Sequence, residues 1–217
     1  MTIRELRSLV RKGENDHLEF KKKVDYPEKV IKEITAFANT QGGELLIGVD
    51  DNREISGLKY PDEHRFALEN AIESFCKPVI SFHVEQIPVS ENRFVLRYTI
   101  DKSERRPHSV RLAPGKDEYF IRVGDKSVKA SREVVEIMER QKKGKDIQFY
   151  FGDSEKILMN YLEENNFITI DQYALVARLK PYQAARKLIL LVLANVLMVV
   201  PGEKHDVFGL NKIATEQ

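Results

Sequence analysis

Three carboxylates and one lysine share a spacing that suits chemistry on a phosphodiester. Glu19 and Lys21 lie in the alternating stretch HLEFK at 17–21, Glu14 precedes it, and Asp51 closes an apolar run at 44–49. Alternation marks a strand, so Leu18 and Phe20 face one way while His17, Glu19 and Lys21 face the other. If the two strands are neighbours, Glu14, Glu19 and Asp51 converge where a hard cation such as Mg2+ or Mn2+ takes oxygen ligands. Such an ion activates water and neutralises developing charge. Lys21 would then hold a phosphate or stabilise the transition state. A plainer alternative stays open, because carboxylates beside turns also act as caps and salt-bridge partners.

The elements that must position these groups follow from periodicity and punctuation. Thr2 caps a short helix whose Leu6, Leu9 and Val10 recur at helical spacing, and Gly13 is placed to end it. Pro27 opens an amphipathic helix carrying Val30, Ile31, Ile34, Phe37 and Ala38, which runs into the turn NTQGG. Asn39, Thr40, Gln41, Gly42 and Gly43 are expected to shape that turn. A second helix is expected over 61–77, then strands over 79–89, 93–100 and 118–123, and Ser131 opens a charged helix. The polar, glycine-bearing QKKGKD stretch marks a domain boundary, giving domains over 1–143 and 144–217.

Beyond the boundary the pattern turns helical. Ser154 caps a helix containing Ile157, Leu158, Tyr161 and Leu162, Thr169 caps a second over 171–179, and Pro181 starts a third running to about 195. A hairpin over 199–210 around Pro201-Gly202 completes the outline of a winged helix-turn-helix. The third helix presents Tyr182, Gln183, Arg186 and Lys187 in its first turns, where such a helix meets phosphates and base edges. Its apolar continuation LILLVLANV suits a core or a dimer interface instead.

The chain has 217 residues, 42% hydrophobic and 32% charged, with a formal net charge of +1. Those values fall in the globular range, and any nucleic-acid-binding surface must be local rather than global. Arg11, Lys12, Lys21, Lys22 and Lys23 form one basic cluster; Lys102, Arg105, Arg106, His108 and Arg111 form another. No apolar run reaches the roughly 18 residues that span a bilayer, and the N-terminus lacks a secretory h-region, so a cytoplasmic protein with no membrane partner is expected. The single cysteine, Cys76, excludes an internal disulfide and a multi-cysteine zinc cage. Neither a GxGxxG nor a GxxxxGK[ST] loop is present. His17, His64 and His108 show no metal-ligand spacing.

The stretches ENDHLEFKKK, ITAFANTQGGELLIGVDD with Ile55 and Gly57, and EYFIRVGDKSVKAS together resemble the Schlafen AlbA-like domain family over roughly residues 10–135. The resemblance implies an α+β fold: a mixed-sheet domain, followed here by a small, mostly helical, winged-helix-like module. In the Schlafen ribonucleases it implies a metal-dependent endonuclease acting on structured RNA such as tRNA. The acidic centre would then fall on Glu14, Glu19 and Asp51, with Lys21 matching the basic residue of the motif and Lys22, Lys23, Arg105 and Arg106 steering the backbone. Arg122 of the closing motif either touches nucleic acid or pairs inside the fold. Other members are described as DNA-binding transcriptional regulators, which would use Arg186 and Lys187 of the C-terminal module. The nucleolytic relatives carry two tandem lobes and a Cys/His zinc site, whereas this chain has one lobe and one cysteine. A homodimer built on the apolar C-terminal helix would supply a second lobe.

Overall fold

The computed structural model describes residues 1–143 and 150–211. The chain divides into two compact units, Met1–Lys129 and Ala130–Gln217. In order, the first unit contains α1 (Ile3–Arg11), β1 (Leu18–Lys21), α2 (Pro27–Asn39), β2 (Gly43–Ile47) and α3 (Pro61–Phe75). These are followed by β3 (Cys76–Lys77), β4 (His83–Ser90), β5 (Arg93–Ile100), β6 (Ser109–Ala113), β7 (Lys116–Val123) and β8 (Lys126–Lys129).

Two four-stranded sheets result, in the orders β1-β2-β5-β4 and β3-β6-β7-β8. The first is mixed: β1 runs parallel to β2, Leu18 opposite Glu44 and Lys21 opposite Ile47, whereas β2–β5 and β5–β4 are antiparallel. Helix α2 packs against strands of both sheets, which explains why eight of its thirteen residues are buried. Alternation along the strands sorts the side chains by face. Leu45, Ile47, Leu96, Tyr98 and Ile100 join Ile31, Ile34, Phe37 and Phe120 in one core. Leu18, Phe20, Leu46 and Val95 join Leu6 and Val10 of α1 in another. Cys76 lies in the first of these cores, and burial pushes its thiol up to about 11.

Pro27 and Pro61 sit at the first turns of α2 and α3, where a missing N–H is harmless and the fixed φ suits the helix. Between α2 and β2 the chain turns through Gly42 at φ 78°, and a Cβ there would lie 2.6 Å from the Ile100 carbonyl oxygen. Glycine is needed at this turn because the chain passes close to the end of β5.

The second unit contains α4 (Arg132–Lys142), α5 (Asp153–Asn165), β9 (Phe167–Ile168), α6 (Ile170–Val176), α7 (Pro181–Leu193), β10 (Leu197–Val200) and β11 (Val207–Leu210). Its strands form an antiparallel sheet in the order β10-β11-β9. The division of units falls before α4 rather than at QKKGKD, whose residues 144–146 lie outside the described residues. The reason is packing: Ile137 of α4 belongs to the core built by Leu158, Leu162, Tyr173, Leu188, Ile189 and Phe208. The apolar run of α7 fills this same core, with Leu188, Ile189, Leu191, Val192 and Leu193 all buried. It is therefore accounted for inside its own unit and supplies no argument for a dimer.

Replacing Gly42 with Ala should cost clearly more than Gly115→Ala, which meets nothing within 4 Å of its Cβ at a similar φ of 73°. The left-handed backbone alone is worth about 1–2 kcal/mol, and only Gly42 adds a clash. Urea unfolding of the two variants measures the difference.

Candidate functional site

The acidic residues are gathered around β1, but in a buried ion network rather than an open cluster. Glu19 projects from the face of β1 that alternation assigns to it. That face is turned inward, and Glu19 is only 5% exposed. A carboxylate at such a depth must be paired. Lys21 donates to its Oε1, and the Arg122 guanidinium donates to its Oε2 at 2.7 Å.

Arg122, on β7, is also 5% exposed and its donors are engaged inside the fold. Nη1 donates to Glu33 at 3.0 Å and to Ser127, while Nε and Nη2 donate to the Asn15 carbonyl. Nη2 also reaches the Leu18 carbonyl, and the guanidinium lies 5.0 Å from the centre of the Phe37 ring. Ser127 donates to Glu33 as well. Arg122 is thus an internal tie, and the expectation that it touches nucleic acid is corrected: every direction its fork can donate in is filled by protein.

Burial pushes the Glu33 carboxyl above its ordinary value, and the charge on Glu19 adds to that rise. Burial likewise raises Glu14, against the bond its carboxylate accepts from the Phe20 N–H at 2.9 Å, with Glu19 and Asp51 contributing repulsion. For Lys21, burial works against the ammonium, but the bond to Glu19 and the nearby charges of Glu19, Glu33 and Glu14 outweigh it and raise its pKa. Asp51 is exposed in the turn after β2, beside Asp50, which Lys22 holds at 2.6 Å.

Whether these groups fit a divalent ion depends on free oxygens. Mg2+ and Mn2+ want several oxygen ligands at roughly 2.0–2.6 Å. Both Glu19 oxygens are already bonded to cations, and one Glu14 oxygen accepts a backbone N–H. Among the described residues no group of three or more His, Cys, Asp or Glu side chains is placed to hold a metal ion. The side chains as arranged do not fit the ion, because the Glu19 oxygens are already taken by Lys21 and Arg122.

Of the basic residues expected to meet nucleic acid, Lys22, Lys23, Arg105 and Arg186 are exposed and Arg106 is half-buried. Lys187 is different: its ammonium donates to Glu155, which is buried in α5. Burial raises the Glu155 carboxyl, yet Lys187, the Gly152 N–H and Ser154 together bring it below its ordinary value. Lys187 therefore ties α7 to α5.

Glu33 and Asn39 had not been singled out as network residues. Asn39 is buried; its amide donates to the His108 and Phe120 carbonyls and accepts the His108 N–H, clamping α2 to β7 and to the residue just before β6. His108 is buried too, with its ring nitrogens at Pro78 O and Ser103 Oγ.

An α+β domain with a mixed sheet and a charge network at its first strand defines the class. The Schlafen, AlbA_2 family model matches residues 14–131, more than half of the chain, and the chain belongs to that family. Membership points to nucleic acid as the partner. The chain is also similar to the N-terminal domain of a RecG-related protein from Nitrosomonas europaea, with 22% identity and a TM-score of 0.44, covering 61% of this chain and 93% of that one. It is similar to the DIP2311 protein from Corynebacterium diphtheriae, with 19% identity and a TM-score of 0.45, covering 64% of this chain and 33% of that one.

Substituting Arg122 with Ala should remove about 3–5 kcal/mol of stability, the range for breaking a buried ion pair from one side. Arg122→Lys should recover little, since one ammonium cannot replace a fork that reaches Glu19, Glu33 and Asn15 together. Chemical denaturation followed by circular dichroism checks both.

Proposed function

We propose that this chain is a non-catalytic nucleic-acid-binding regulator of the cytoplasm that grips duplex DNA through its C-terminal unit, as a winged helix-turn-helix. The observation that carries this reading is the outer side of α7. Its first turns leave Tyr182, at 66% exposure, and Gln183 and Arg186 in solvent, while Ala184, Leu188 and Ile189 face the core. Helix α6 precedes it across a short turn in which Arg178 takes φ 52°, and Thr169 caps α6. The hairpin of β10 and β11 follows, with Lys204 and His205 in its connection. Helix, strand, helix, helix and hairpin in that order is the plan in which the third helix enters the major groove. Arg186 has the planar fork that reads guanine or clasps a phosphate, and Tyr182 and Gln183 flank it.

Arg186→Ala should weaken binding to a duplex target about tenfold, within the range for a single base-reading arginine. If Arg186 meets only phosphate, the loss should be uniform across sequences and the salt slope should fall by about 1. Fluorescence anisotropy over a salt series distinguishes these outcomes. Binding unchanged by the substitution would remove the helix-turn-helix reading.

The competing reading is a metal-dependent endoribonuclease acting on structured RNA such as tRNA. What favours it is the electrostatic proximity of Glu14, Glu19, Lys21 and Asp51; what opposes it is the commitment of Glu19 to Lys21 and Arg122. With a labelled tRNA pool and Mg2+ or Mn2+, the expected result is no defined fragments. Asp51→Ala is the informative substitution, because Asp51 is exposed whereas Glu19 is built into the fold. Fragments that vanish with chelator and in Asp51→Ala would reinstate the nuclease.

A further inference from the structure

Helix α1 turns a line of cations to solvent. Its inner face is settled, since Leu6 and Val10 are buried in the core they share with Leu18, Phe20, Leu46 and Val95. Arg4, Arg7 and Arg11 stand three and four positions apart, so they follow one another along the side turned away from that core, and all three are exposed. Lys12, also exposed, continues the line past the last turn. From Arg4 to Arg11 the line covers about 10 Å of helix axis.

This pattern works against the helix that carries it. Like charges three and four residues apart repel, and a cation in the first turn, where Arg4 stands, is opposed by the helix dipole. At the other end Arg11 and Lys12 have a local reason, because the dipole favours cations there. Arg53 serves that end too, donating from Nη1 to the Arg11 carbonyl at 3.2 Å. Arg4 and Arg7 have no such reason. Glu5, the one acid within α1, is committed to the capping box, accepting from the Thr2 N–H at 2.6 Å and from the Thr2 hydroxyl. The residues three and four positions from Glu5 are Met1, Thr2, Ser8 and Leu9, none of them with a cationic side chain. Among the described residues neither Arg4 nor Arg7 pairs with an acid, whereas other exposed cations do, as in Arg65–Glu69 and Arg111–Asp117. A local rule broken with no gain inside the fold points to a surface kept for a partner.

A row of guanidinium groups complements a polyanion, because each fork clasps a phosphate through two parallel bonds. One strand of a duplex offers a phosphate about every 3.4 Å of axis, so about three fall along the row. An anionic membrane would match the charge, but a surface helix holds lipid through its apolar face as well. The apolar face of α1 is closed inside its own core.

We infer that the outer face of α1 docks the phosphate backbone of duplex nucleic acid without regard to sequence, with Arg4 and Arg7 as its contacts and Arg11 and Lys12 extending it. The inference rests on nucleic acid being the partner, as the family indicates, but not on the helix-turn-helix of the second unit.

The test is fluorescence anisotropy of the full chain over a salt series, with two labelled DNA duplexes of unrelated sequence, comparing wild type with Arg4→Gln/Arg7→Gln. The double variant should lose about tenfold in affinity, equally on both duplexes, and its salt slope should flatten by about 1.8, the worth of two phosphate contacts. Its thermal midpoint should hold or rise, since a repulsive pair is removed; a structural role for the arginines requires a fall. Arg65→Gln/Lys156→Gln, which removes the same charge from ion-paired positions, should bind as wild type does. Unchanged affinity and slope in Arg4→Gln/Arg7→Gln overturn the inference, as do a lowered midpoint, an equal loss in the ion-paired control, or a wild type that binds neither duplex. Arg186→Ala separates the two readings: if it weakens duplex binding and the α1 variant does not, the α1 surface alone falls, and the reverse pattern removes the helix-turn-helix alone. Phosphatidylserine vesicles that bind wild type but not Arg4→Gln/Arg7→Gln, with duplex binding unaltered, would give the surface to anionic lipid.

Discussion

The Arg122 guanidinium is the interaction on which the first unit depends. A cation at this depth is tolerated only if every donor finds an acceptor, and meeting that demand draws four elements together. Its bonds join β7 to Glu19 on β1, to Glu33 on α2, to Ser127 on β8 and to the Asn15 and Leu18 carbonyls flanking the start of β1. The ring of Phe37 covers its face. The two sheets share no ladder; the Arg122 fork links β7 directly to β1, and the Asn39 amide ties α2 to the His108 and Phe120 carbonyls on the side of the other sheet.

The same constraint explains the character of the acidic residues. Lys21 and Arg122 are set against Glu14, Glu19 and Glu33, so carboxylates outnumber cations in the network. Glu19 takes the bonds from both cations, while Glu14 and Glu33, left with weaker compensation, are the carboxyls pushed upward. Such an arrangement rigidifies a strand. A hydrolytic metal centre needs oxygens that an ion can claim, and here the best-placed pair of oxygens already neutralises two side-chain cations. The network leaves other polar groups in solvent, such as Lys23 and Arg105 on one unit and Tyr182 and Arg186 on the other.

Much of the framework was legible in the sequence, because local rules govern it. HLEFK alternates as a strand, Pro27 starts α2, Thr169 caps α6, and the α7 run from Leu188 is apolar enough to demand a core. The helices and the mixed α+β class follow from such signals. The short strands β3, β6, β8 and β9 were not foreseen, since two to five residues carry too little periodicity and form only because a neighbour offers a ladder. Alternation correctly put Glu19 and Lys21 on one face but could not say that this face points inward, which depends on α2 lying over it. The Arg122 pairing spans about a hundred positions of sequence, and nothing local distinguishes an internal arginine from one aimed at phosphate. The boundary before α4 was hidden for a similar reason: the polar linker is conspicuous, whereas the membership of α4 is decided by where Ile137 is buried.

Helix α7 shows how one segment reconciles demands that its sequence made appear opposed. An all-round apolar run and a polar, basic start suggest either a core helix or a groove-binding helix, and the structure separates the two along its length. From Leu188 onward the side chains fill the C-terminal core; before it, Tyr182, Gln183 and Arg186 are exposed on the outer side. Lys187 and Glu155 join the two regions, because their partly buried pair fixes the rotation of α7 against α5. Arg186, the preceding residue, is exposed on the outer side of that helix. A side chain so placed loses less freedom on binding than one on a mobile segment, and the apolar run is what makes that placement rigid.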